Sequence, residues 1–213
     1  MKSPVTFEAA FIEPRSRAST FFRWLLAIPL IIWAEFYLLF ALIAVVLAWF
    51  ALLFTGRYPG ALYNFVAGYL RFSGRTSAYL YLLTDVYAPF SGGLEPAYPV
   101  RVDVAPPLER YGRWRVFLRG PIESLAVIAL YGFSNLLLLL SLTPVAHWIT
   151  IVNDGRARHS LHRLTWMYVA FILRAQAYAF LMAQDFPPFF SEWPHTALTA
   201  GTGASPPPSP PEG

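Results

Sequence analysis

Hydrophobic and polar positions along this chain change rhythm in a repeated order. Residues 4–11, PVTFEAAF, loosely alternate apolar with polar, and so do 99–104, PVRVDV. A period of two predicts a short strand at each place. Each leads through a Pro-bearing stretch, IEPRSR or APPLERYGR, into a basic lead-in. Arg15, Arg17 and Arg23 mark the first lead-in, and Arg110, Arg113, Arg115 and Arg119 the second. A continuous apolar run follows each, at 24–54 and at 121–152. Either run exceeds the roughly 20 residues that a membrane span needs. Pro29 and Pro121 sit near the two starts, where a proline opens or kinks a helix.

Each run stops at a Gly-Arg turn, TGRYPG at 55–60 and NDGRAR at 153–158. A less apolar helix is expected after each, near 61–84 and near 161–184. Gly56 and Gly155, Arg57 and Arg156, Tyr69 and Tyr168, Arg75 and Arg174 all stand 99 positions apart. The order of unlike features implies an all-α integral membrane protein of two tandem helix-pair units, 1–96 and 97–193. It has two firm spans, two further membrane-embedded or interfacial amphipathic helices, and a short strand-like segment before each unit. Residues 194–213, ending GTGASPPPSPPEG, read as a disordered Pro-rich tail.

Composition supports the membrane class: 56% of residues are hydrophobic and 13% charged, about half the charge of a usual soluble domain. There is no cysteine, which excludes disulfides and thiolate chemistry. The start lacks the short apolar core and small-residue cleavage site of a signal peptide, so the first run is expected to be retained. Net charge is +4, but the arginines flank apolar runs, which points to lipid phosphates and not to nucleic acid.

At TGRYP, RTSAYLYLLTDVYAPF and PPFFSEWP the chain resembles a bacterial membrane family known as domain of unknown function 4389. That resemblance implies a unit of long apolar helix, T-G-[KR] turn, aromatic amphipathic helix and Pro-Phe exit, often present twice and opening with a Y-P-V strand as at 98–100. It implies no activity. The second turn, NDGRA, departs from the pattern.

Two topologies are open. If both strands lie on one side, each unit crosses twice and the second helices span. The arginines of both lead-ins then favour a cytoplasmic strand side. Against it, Arg71 and Arg75 would sit near mid-bilayer, at about 2.5–3.5 kcal/mol each. Otherwise the second helices lie flat in the interface, with Asn64, Arg71 and Arg75 on one face toward phosphate.

Candidate sites follow from charge at depth. Glu35, inside the first run, is expected to pair with Arg75 on the returning helix. Asn135 and Gln176 are expected to share an interhelical hydrogen bond. Arg15, Arg17, Arg23, Arg71, Arg75, Arg113, Arg115, Arg119 and Arg174 are candidates for lipid headgroup or partner contact, because a planar fork suits phosphate. His147, His159 and His162 read as interfacial, and Asp85 and Asp185 as turn residues. No P-loop, H-E-x-x-H, G-x-S-x-G or G-x-G-x-x-G occurs, and no catalytic, metal or cofactor site is expected. The expected role is a non-enzymatic accessory or scaffold subunit of a larger bilayer complex, energy-transducing or of the envelope, with protein subunits and membrane lipids as partners. The alternative is a lipid-binding, membrane-organising protein with Arg-rich interfacial segments. The expected location is the bacterial inner membrane.

Overall fold

The computed structural model describes residues 4–11, 15–120 and 142–183. The first part of the second apolar run, Asn135 with it, and the final residues with Asp185 and the Pro-rich tail lie outside the described residues. The described part is mostly helical.

Both expected strands form. β1 (Val5–Ala9) and β2 (Val100–Val104) pair antiparallel, with Val5 opposite Val104, Phe7 opposite Val102 and Ala9 opposite Val100. The alternation sorts the sheet into two faces. Val5, Phe7, Ala9, Val100 and Val102 are buried, while Thr6, Glu8, Arg101 and Asp103 occupy the other face. A sheet of this pattern is solvated on one side.

Between the strands come α1 (Arg17–Phe21), α2 (Arg23–Thr55) and α3 (Gly60–Leu80). After β2 come α4 (Arg113–Leu118), α5 (Leu142–Asp154) and α6 (His159–Ala179). α2 runs through Pro29 without a break, although the proline has no N–H to donate to Leu25 O one turn back. Its 33 residues have a mean hydropathy of 2.8 over the most apolar window, and it is the one helix among the described residues long and apolar enough to cross a membrane. It ends at Gly56, whose φ of 68° is a left-handed cap and whose N–H donates to Leu52 O at 2.9 Å. Gly155, after α5, has the same φ and donates to Ile151 O at 2.8 Å.

α3 runs back along α2 and is the middle of a layered stack. Small residues of α2, including Ala41, Ala44 and Ala48, are buried at helical spacing and allow the close approach. Tyr37 of α2 packs on Phe65, Tyr69 and Phe72 of α3. On the far flank, Gly74 leaves no room for a side chain beside Val102 of β2 and Leu173 of α6. Phe72 and Gly74 are two residues apart, hence about 200° apart around the helix. So α2 and the sheet lie on opposite sides of α3. β1 packs on α6, as Phe7 against Trp166 shows.

Candidate functional site

The polar interior is organised by two arginines, each at the end of a helix whose last carbonyls have no intrahelical partner. α3 ends at Leu80, and the chain then turns through Leu82 at φ 65°. A leucine in the left-handed region is strained. The turn it makes brings Tyr79 O and Thr84 O onto one point, and there Arg23 Nη1 donates to them at 2.5 and 2.7 Å. Arg23 Nη2 meets Asp85 Oδ1 at 2.5 Å, and the guanidinium lies 4.6 Å over the Tyr79 ring. Arg15 joins from the side, donating to Leu83 O at 2.9 Å with Asp85 at 3.8 Å. Burial pushes the Arg15 guanidinium down from its ordinary value, and Asp85 opposes that. His147 of α5 and His162 of α6, both fully buried, lie close enough to feel these charges.

The second arginine, Arg119, repeats the geometry 96 residues on, against partners 99 residues on. α6 ends at Ala179 and turns through Leu181 at φ 60°. Arg119 donates to Ala183 O at 2.8 Å and Tyr178 O at 3.0 Å, and stacks 3.5 Å over the Tyr178 ring. The surroundings differ. At the 99-residue offset His162 corresponds to Tyr63 and His147 to Ala48, while Ala157 corresponds to Tyr58. Tyr58, Tyr63 and Tyr111 cluster there, and burial pushes the Tyr58 hydroxyl up from its ordinary value.

The lead-ins are exchanged. Tyr111 N donates to Gly56 O at 3.0 Å, so the second lead-in closes the first turn. Arg15 N donates to Gly155 O at 3.0 Å, so the first lead-in closes the second turn. Arg113 and Arg17 lie over the two cap glycines, where a cation meets the negative end of a helix.

These positions bear on several sequence expectations. Arg15, Arg23, Arg75, Arg119 and Arg174 were candidates for lipid headgroup or partner contact. In the structure each donates to at least one of the protein's own carbonyls, at a helix end, in the exit loop or on β1, and Arg15 and Arg23 also meet Asp85. Arg75 donates to Ser91 O and Gly93 O, and Arg174 Nε reaches Val5 O at 3.4 Å. The expected Glu35–Arg75 pair does not form: Glu35 is exposed on the outer flank of α2, and Arg75 is 2% exposed. Gln176 is buried, and its Oε1 has no hydrogen-bond partner among the described residues; Asn135, its expected partner, lies outside them. Arg71 is half-buried with Nε unbonded among the described residues. Arg17, Arg113 and Arg115 remain exposed. Asp85, read as a turn residue, anchors two arginines. His147 and His162, read as interfacial, are interior. At the 99-residue offset position 184, which matches Asp85, holds Gln, and Asp185 follows it, outside the described residues. No group of His, Asp and Glu among the described residues could hold a metal ion.

The profile of the domain of unknown function DUF4389 matches residues 17–91, from the start of α1 through α3 to the exit loop. Among curated proteins and solved structures, none matches the chain.

Proposed function

We propose that this chain is a non-enzymatic scaffold subunit of a membrane assembly, formed by duplication of a unit of about 95 residues and resident in the bacterial inner membrane. The observation that carries the reading is the outer side of α2. Fifteen large apolar side chains there, Ile28, Phe36, Phe40 and Phe50 among them, are exposed while its alanine stripe is buried. So large an apolar face marks a bilayer or helix-packing surface. The interior supports the non-enzymatic part: its arginines and Asp85 are engaged with backbone and with one another. The duplication is supported by the paired arginine sites, the two left-handed leucines and the two glycine caps. Purification from native membranes in mild detergent, with mass spectrometry of the peak, tests the role. A stoichiometric protein partner is expected; a lone protein carrying only anionic lipid contradicts it.

A second reading, lipid binding, is favoured by one observation. Exposed Arg113 and Arg115 stand among Trp114, Phe117 and Leu118, all exposed, which is the mixture that grips anionic headgroups. Flotation with anionic vesicles, lost on neutralising Arg113 and Arg115, is its test.

A further inference from the structure

We propose that α2 lies along the plane of one leaflet, its exposed apolar side in hydrocarbon and the sheet in water on the same side, and does not cross the bilayer. The inference rests on membrane residence but not on the scaffold role. Three observations carry it.

The first is the path of the chain between the halves. Tyr98 Oη donates to Val86 O at 2.9 Å, close to the Arg23 end of α2. Thirteen residues later Tyr111 N bonds Gly56 O, at the other end of α2. Between these points β2 runs along α3, and Tyr63 Oη meets Ala105 O at 2.5 Å. α3 has 21 residues and is about 31 Å long, the thickness of a hydrocarbon core. Were α2 to cross, its antiparallel partner α3 would cross beside it. The extended segment would then cross as well, carrying the exposed Arg101 and Asp103. Charged side chains at membrane depth are costly, about 2.5–3.5 kcal/mol each on insertion scales. With α2 in the plane, the same side chains meet water.

The second is Glu35. It is exposed on α2, twelve residues from Arg23, so a crossing helix would hold a lone carboxylate about 18 Å deep. On an in-plane helix it sits off the centre of the apolar side, at the shallow depth of the interface and not in the middle of the hydrocarbon.

The third is charge symmetry. Because the lead-ins are exchanged, exposed arginines gather at both ends of α2. Arg17, Arg156 and Arg158 stand near the first end, and Arg57, Arg113 and Arg115 near the second. A crossing helix is oriented by an excess of positive charge on one side. Equal clusters suit a helix whose ends both touch phosphates of one leaflet.

The chain has no cysteine, so single replacements report cleanly. Ala18→Cys and Gly60→Cys flank α2, both at exposed positions, and a side chain at Gly60 meets nothing within 4 Å. Thr6→Cys marks the outer face of the sheet. Each full-length variant is treated with a membrane-impermeant maleimide in sealed vesicles of both orientations. All three are expected to label in one orientation and to lose that labelling in the other until detergent is added. Labelling of Ala18→Cys and Gly60→Cys in opposite orientations overturns the proposal and leaves the scaffold reading intact. A chain that fails to float with membranes overturns both.

Discussion

The Arg23 and Arg119 sites share a backbone and differ in everything around it. Each guanidinium sits on a tyrosine ring and ties the lead-in of its half to the two carbonyls that a left-handed leucine folds together. At the first, Asp85 offsets one of the two charges of Arg23 and Arg15, and two histidines crowd in. At the second, Tyr58, Tyr63 and Tyr111 cluster, and among the described residues Arg119 is met by two carbonyls and a ring. The geometry is therefore set by bare helix-end carbonyls, which any cation can satisfy. At the first site the Asp85 ion pair is added to these carbonyl bonds, and breaking it makes that site costly to disturb.

The sharpest way to break the comparison is Arg23→Ala. It leaves Asp85 and two carbonyls without their main donor, and a loss of about 3–5 kcal/mol is expected by equilibrium unfolding in detergent. Asp85→Asn ranks next, at about 2–3 kcal/mol, because both arginines keep their carbonyl bonds. Arg119→Ala should cost about 1.5–3 kcal/mol for the two carbonyl bonds and the cation–ring contact it gives up among the described residues. If Arg119→Ala proves as damaging as Arg23→Ala, the contrast between the sites fails.

Acid should also tell the sites apart. Burial, then Arg15, His147 and His159, push the His162 imidazole from 6.5 down to about 3. The unfolded chain takes up this proton first. Stability from this group is complete above pH 6.5 and is lost as pH falls toward 3, by at most about 1.4 kcal/mol per pH unit. His162→Tyr, which copies Tyr63, should flatten the profile of melting temperature against pH; an unchanged slope contradicts the assignment. The smallest effects belong to the caps. Gly56→Ala and Gly155→Ala each force an alanine to φ 68°, at about 1–2 kcal/mol. Gly155→Ala should cost more, because its Cβ would come within 3.2 Å of Arg17 Nε where that of Gly56 has 3.6 Å to Arg113 Nε.

Much of the local structure was legible in the sequence. Alternation gave both strands to within a residue or two, and Gly56 and Gly155 marked both caps because glycine adopts the left-handed conformation without strain. The role of the arginines was not legible. An arginine beside an apolar run can turn outward to phosphate or inward to a helix end, and spacing along the chain does not distinguish the two. The decision lies in long-range geometry, such as the left-handed turns at Leu82 and Leu181 and the exchange of lead-ins. The exchange also explains why counting charges by segment misled. It moves the second lead-in to the far end of α2 from the first, so the arginines that seemed to gather on one side are divided between two ends of one helix.

The most direct test of the in-plane account is a depth profile along α2. Spin labels at Ile28, Phe36, Ile43 and Phe50, all exposed on its apolar side, would be read in bilayers by their relative accessibility to oxygen and to a polar nickel chelate. The account predicts one common depth for all four. A profile in which Phe36 and Ile43 lie about 10 Å deeper than Ile28 and Phe50 would mean that α2 crosses the bilayer, and would contradict it.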